Sequence, residues 1–236
     1  MSEGTAEKQS ESNATWALSP RMPFVPHVNA GAGGFFAPYM RQYMETYKTP
    51  DHIGCMVAVK DRLNACRNPY AHLQIPNIDL AMVQQSPMLW EPLRFLESCP
   101  SSDGACALVI ANEELALRAP NRPAWIVGSS TRSDGTMYAG KDNVRPQSLI
   151  ACARDVYAKA GITNPRKQID VAELYVPFSW YEPMYLEALG ICEQGEGWKL
   201  TEAGATAMTG DIPINPSGGV LSSNPIGASG MLRFGE

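Results

Sequence analysis

Asn215-Pro-Ser-Gly-Gly-Val-Leu-Ser-Ser-Asn-Pro-Ile-Gly-Ala-Ser-Gly-Met-Leu, ending at Leu232, is the stretch on which the reading of this chain turns. Glycines at 218, 219, 227 and 230, set among Asn215, Pro216, Asn224 and Pro225, make a backbone that turns sharply and can come close to a ligand. Amide donors left free by such turns suit an oxyanion or a thioester carbonyl. Ser217, Gly218, Gly219 and Gly227 are therefore the expected substrate-binding positions, with Asn224 as a further donor. The same composition also serves ordinary connecting loops, so its weight depends on what the rest of the chain says.

Upstream lies Glu173-Leu-Tyr-Val-Pro-Phe-Ser, which closes an apolar run from Ile169 to Val176. In open α/β sheets ligands gather at the carboxyl ends of strands, so Tyr175 is placed to face a site. Its phenol can act as acid or as base, although an ordinary pKa of about 10 means that a base at neutral pH needs strong help from neighbours. The alternative for Tyr175 is a buried ring whose hydroxyl bonds to backbone.

The chain has 236 residues, 44 % of them apolar, long enough for a sizeable core in one or two domains. Its net charge of −5 gives no general electrostatic reason to bind nucleic acid or an anionic membrane. The polar start, Met1 to Ser12, lacks the basic-then-apolar layout of a secretory signal, and no apolar run approaches the roughly 18 residues needed to cross a bilayer. The expected location is the cytoplasm. Six cysteines without CxxC pairs read as reduced, mostly small buried hydrophobes. His27, His52 and His72 lie early in the chain and outside any catalytic motif, as surface or capping residues. Asp103 in Ser101-Ser-Asp-Gly reads as a turn residue.

Apolar spacing predicts an amphipathic helix over 37–47, a second from Thr49-Pro-Asp to Asn68-Pro, a short one opened by Asp79, a clear one over 148–160 ended by Gly161, and another over 182–189 closed by Gly190. Ala105-Cys-Ala-Leu-Val-Ile-Ala-Asn and Pro123-Ala-Trp-Ile-Val-Gly-Ser-Ser are continuous apolar runs, expected as strands buried on both faces; Ile169 to Val176 is a third strand. Residues 129–146 are polar and Gly-rich, a loop or lid. Strands alternating with helices give an α/β layered fold. The last Gly-rich turn should open a helix, yet only about two turns of sequence remain, too short to stand without strong packing. The chain is therefore expected to be a fragment.

Asn215-Pro-Ser-Gly-Gly followed by Asn224-Pro-Ile-Gly-Ala-Ser-Gly resembles the thiolase pattern of Asn-Pro-x-Gly-Gly and then His-Pro-Ile/Leu-Gly-Ala-Thr-Gly. The similarity runs back through Tyr185-Leu-Glu-Ala-Leu-Gly-Ile-Cys-Glu-Gln-Gly-Glu-Gly and Leu93-Arg-Phe-Leu-Glu-Ser-Cys-Pro-Ser-Ser-Asp-Gly-Ala, and covers almost the whole chain from about Ser19. The chain thus resembles the sterol-carrier-protein, or lipid-transfer-protein, type of thiolase. That resemblance implies an incomplete thiolase-like fold of helices packed on mixed sheets. It implies a helical loop domain over 1–98 covering coenzyme A, the end of a first repeat over 99–122, and part of a second repeat over 123–236.

Two family histidines are replaced here, by Tyr175 and by Asn224, and an asparagine that helps hold the thioester oxygen is replaced by Tyr181. Thiolysis and Claisen condensation need an activated cysteine with bases beside it. A tyrosine at the strand end resembles instead the steroid side-chain aldolases, which cleave a β-hydroxyacyl-CoA by retro-aldol reaction. In those a second tyrosine is expected where Asn224 stands. The implied catalytic set is Tyr175, Asn224 and Tyr181, with no metal and no cofactor beyond the coenzyme A of the substrate. Arg21, Arg41, Lys60, Arg62 and Arg67 are candidates for its phosphates. Implied partners are an acyl-CoA thioester, a second copy in a homodimer and a small OB-fold protein. The other readings are a thiolase whose cysteines lie outside this sequence, and a non-catalytic acyl-CoA or sterol carrier or scaffold subunit.

Overall fold

The computed structural model describes residues 31–134, 142 and 144–236. Arg21, His27 and, within the expected lid between 129 and 146, residues 135–141 and 143 lie outside the described residues.

Helix α1 (Gly31–Tyr47) begins six residues before the expected start at 37, because Gly31-Ala-Gly-Gly34 joins it. Gly33 serves packing: a Cβ there would meet the Trp90 ring at 2.2 Å. Ala37, Met40, Tyr43 and Met44 are the buried stripe, at helical spacing. Helix α2 (His52–Ala65) is buried along most of its length and carries Ile53, Cys55, Val57 and Ala58 into the core.

Helix α3 (Leu80–Gln85) starts where Asp79 Oδ1 accepts from the Met82 amide at 2.7 Å. A short antiparallel pair, β1 (Met88–Trp90) and β2 (Leu93–Arg94), leads into a 3₁₀ turn over Phe95–Glu97. Helix α4 (Glu113–Leu117) is exposed, and helix α5 (Gln147–Ala160) ends at Gly161 in the left-handed region, φ 68°. Then come α6 (Pro165–Gln168), α7 (Tyr181–Ala188), α8 (Gly197–Glu202), α9 (Gly219–Ser222) and α10 (Ser229–Gly235). Met40, Tyr43, Ile53, Leu93, Trp180 and Met184 meet in the main core between α1, α2 and α7.

The three expected strands fare differently. Residues 169–176 meet the chain before Asn215 in one parallel bridge, Ala172 with Ile214, where the Ala172 amide donates to Pro213 O at 3.1 Å and the Asn215 amide to Ala172 O at 2.8 Å. The runs 105–112 and 123–130 form no strand among the described residues. Their apolar side chains are open to solvent, Val109 at 98 % and Ile110 at 76 % exposure, Val127 at 66 %. The expectation of burial on both faces is thus overturned here. An apolar run becomes a buried strand only where neighbours hydrogen-bond along its edges and helices cover its faces. The end of the second run is tied down by α5: Lys159 Nζ donates to Ser129 O, and Asp155 accepts from Ser130 Oγ and Arg132.

Candidate active site

Asn215 is the hub of the site. It is fully buried and holds φ 52°, a left-handed conformation that asparagine tolerates better than most residues. Its Oδ1 accepts from the Leu174 amide at 2.7 Å, its Nδ2 donates to Asp61 Oδ2 at 3.1 Å, and its carbonyl accepts from Asn64 Nδ2 at 3.0 Å. One side chain therefore locks the turn to the residue before Tyr175 and to α2. Beneath it lies a buried charge cluster in which Lys60 Nζ sits 2.7 Å from both Asp61 Oδ1 and Glu182 Oε2 and donates to Ile214 O at 2.8 Å. Burial lifts the Glu182 carboxyl to about 7 against the opposing pull of Lys60.

The turn that follows is satisfied from within. The Ser217 amide and hydroxyl donate to the two Glu173 oxygens, at 2.9 and 2.8 Å, and Arg233 Nη1 reaches Glu173 Oε2 at 2.9 Å as well as Ser217 Oγ. The Gly218 amide donates to Asn215 O at 2.9 Å and that of Gly219 to Ser217 Oγ at 3.2 Å. These donors, expected to be free, are spent on shaping the turn. Gly218 is required by conformation and by space: φ is 94°, and a Cβ would stand 2.4 Å from that of Ala65. Gly227 differs, being exposed in an open turn with nothing within 4 Å of an added Cβ. Arg233 also shows how so short a terminal helix as α10 stands: its guanidinium, 7 % exposed, is anchored in the Glu173–Ser217 pair.

Tyr175 and Asn224 are brought together. The Tyr175 hydroxyl donates to Asn224 Oδ1 at 3.3 Å, and the ring, 39 % exposed, forms part of the wall of a cavity of about 440 Å³. Burial, then the nearby Cys99 thiol, raises the phenol above its usual value, so it is protonated at neutral pH. Asn224 itself is buried. Tyr181 stands elsewhere on the cavity wall, held by rings: its centroid is 5.5 Å from Phe36 and 5.1 Å from Tyr185, and burial strongly raises its phenol.

Sequence reasoning overlooked Cys99, whose Sγ accepts from Asn224 Nδ2 at 3.0 Å. The available signal was its place inside Cys99-Pro-Ser-Ser-Asp-Gly-Ala, one of the matching segments. His72 also lies closer to the site than its surface reading implied: its Nδ1 is 2.8 Å from Ser102 Oγ, which accepts from the Asn224 amide at 3.1 Å. Of the candidate phosphate contacts, Lys60 and Arg62 are committed inside the fold, Arg62 donating to Leu96 O and Ser98 O. Arg41 pairs with Glu45 and Glu91, whereas Arg67 is exposed beside the Ser217 turn. Among the described residues no cluster of three or more His, Cys, Asp or Glu is placed to hold a metal ion, and no helix is long and apolar enough to cross a membrane.

Comparison with known proteins agrees with this geometry. Residues 130–236 match the family model described as thiolase C-terminal domain-like. Sterol carrier protein 2 of Bos taurus is 32 % identical over 94 % of this chain and 40 % of that protein. The 17-hydroxy-3-oxo-4-pregnene-20-carboxyl-CoA lyase of Mycobacterium tuberculosis is 29 % identical over 83 % of this chain and 52 % of the lyase. Among solved structures, an Ltp2-ChsH2(DUF35) aldolase superposes with a TM-score of 0.80 at 27 % identity, covering 98 % of this chain and 60 % of that one. The chain thus spans about half the length of the curated relatives it matches. Its fold is thiolase-like and partial, helix-rich with a small sheet. Residues 130–236 thus match the thiolase C-terminal domain-like family, and over most of its length the chain is similar to sterol carrier protein 2 and to a steroid side-chain lyase.

Proposed function

We propose that the protein cleaves a carbon-carbon bond of a β-hydroxyacyl-CoA thioester, a steroid side chain being the acyl group, by retro-aldol reaction. The observation that carries this reading is the Tyr175 hydroxyl at the cavity wall, bonded to Asn224 at 3.3 Å, where the family resemblance puts two imidazoles. The reaction removes the proton of the β-hydroxyl, breaks the bond between the α and β carbons, and returns a proton to the enolate of the shortened thioester. A phenol raised by burial is suited to the last role: it stays protonated at neutral pH and gives its proton to the developing anion. The cavity walls are mostly apolar and aromatic, with Phe36, Tyr181 and Tyr185 among them, a surface suited to a fused-ring body.

This chemistry moves protons and one carbon-carbon electron pair. It calls for no redox cofactor, and coenzyme A enters as part of the substrate. The Glu173, Ser217 and Gly218 contacts position Tyr175 and the turn, while Tyr181 shapes the acyl end of the cavity. The structural neighbour's name pairs an aldolase with a DUF35 protein. A small partner of that kind, together with a second copy of this chain, is proposed here too, in the cytoplasm. The second reading, favoured by the thiolase family model, is acyl transfer through a cysteine.

Tyr175→Phe tests the proposal. It should cut turnover by about 10²- to 10⁴-fold, the contribution of a positioned acid or base, while acyl-CoA binding persists. Turnover at the wild-type rate would remove Tyr175 from the mechanism.

A further inference from the structure

Asn224 is held at three points, and the three do not ask for the same end of the amide. Ser229 Oγ, fully buried, donates to Oδ1 at 2.7 Å; Tyr175 Oη donates to the same oxygen at 3.3 Å; Nδ2 donates to Cys99 Sγ at 3.0 Å. A primary amide has an accepting end and a donating end, and turning it over exchanges them. In the present orientation the oxygen faces the phenol and favours its protonated form. In the opposite one Nδ2 would face the phenol oxygen and favour phenolate, leaving Oδ1 against a thiol, which is only a weak donor.

We propose that Cys99 and Ser229 are positioning residues that decide which end of Asn224 faces Tyr175, and so keep the phenol a proton donor. The inference rests on the role given to Tyr175 above. Both holders are fixed by the elements that carry the site. The Cys99 amide donates to Pro177 O at 2.9 Å, two residues beyond Tyr175, and Arg62 donates to Ser98 O at 3.0 Å. Ser229 opens α10, whose Arg233 is anchored on Glu173 and Ser217. Each therefore meets Asn224 from a different part of the chain, Cys99 from before the strand end and Ser229 from just after the turn. The Cys99 thiol acts electrostatically on the phenol and raises it, Arg62 acts on Cys99 in turn, and the phenol itself raises the neighbouring Tyr185 hydroxyl.

The test is a spectrophotometric titration of Tyr175 in the intact protein. Each variant is read against the same variant carrying Tyr175→Phe, which isolates one of the nine tyrosines. In the double variant Cys99→Ala/Ser229→Ala the amide is released, and the Tyr175 midpoint should move down. Where cleavage is assayed, kcat should fall about 10-fold with KM held within about twofold. Cys99→Ser, which restores an acceptor for Nδ2, should recover most of the loss caused by Cys99→Ala; loss of fold is checked by circular dichroism. A midpoint unmoved in the folded double variant, or Cys99→Ser as damaging as Cys99→Ala, would overturn the assignment. The titration needs no substrate, so a downward shift without cleavage by the wild type would keep the positioning role and remove the proposed reaction instead.

Discussion

The turn from Asn215 to Ser229 and the two apolar runs at 105–112 and 123–130 are opposites. In the turn, polar side chains are buried and joined: Asn215 to Asp61 and Leu174, Ser217 to Glu173 and Arg233, Asn224 to Cys99, Ser229 and Tyr175. In the runs, apolar side chains such as Val109, Ile110 and Trp125 are exposed. Burial here follows the availability of partners rather than hydropathy. A buried amide is stable when each donor and acceptor is matched, whereas a valine in an extended run gains nothing until a neighbouring strand and a covering helix exclude water from it.

The contrast can be strained first at Gly218. Gly218→Val combines a φ of 94° with a Cβ 2.4 Å from that of Ala65, and should destabilise the protein by roughly 5 kcal/mol, strain and overpacking together; urea unfolding would register it as loss of a folded baseline. Next is Lys60→Met, which leaves Asp61 and Glu182 buried without their cation. About 4 kcal/mol is expected from breaking such a buried cluster, read as a lower denaturation midpoint.

A smaller effect concerns Glu97, fully buried, whose carboxyl burial pushes up to about 7 from an ordinary 4.5 while the Arg94 amide and Ser179 hydroxyl partly compensate. A carboxyl raised on folding binds its proton more tightly in the folded state. Its contribution is therefore complete below the ordinary value and is lost as pH rises through about 7. Glu97→Gln should flatten that part of the Tm-against-pH curve, and an unchanged slope would place the titration elsewhere. The smallest effect requires no mutation. By hydrogen exchange, amides at 106–111 and 124–128 of the 236-residue chain should exchange within seconds, while those of Ala172, Leu174 and Asn215 are protected. Protection of the apolar runs would mean that another strand covers them.

Local signals were legible in the sequence. Gly161 and Gly190 mark helix ends in the left-handed region, Asp79 caps α3, and the stripe of Met40, Tyr43 and Met44 faces the core. The motif reading placed Tyr175 and Asn224 in one site, and the structure brings them into hydrogen bond. What could not be read are contacts whose two ends lie far apart and share no motif. Lys60 and Glu182 are one such pair; a lysine in an apolar helix reads as a solvated charge until the acid that buries it is known. The commitment of the Gly218 and Gly219 amides was also hidden, because composition reports that a turn can free its donors, not whether a hydroxyl or carbonyl nearby takes them.

The central claim is that a phenol and a carboxamide do carbon-carbon cleavage where imidazoles would serve acyl transfer. Its most direct test is mass spectrometry of the intact protein, with a small partner protein if one is needed, incubated with a steroid β-hydroxyacyl-CoA. The account predicts a carbonyl fragment together with the shortened acyl-CoA, and no acylated cysteine. An acyl-cysteine intermediate that passes its acyl group to free coenzyme A, without a carbonyl fragment, would contradict it.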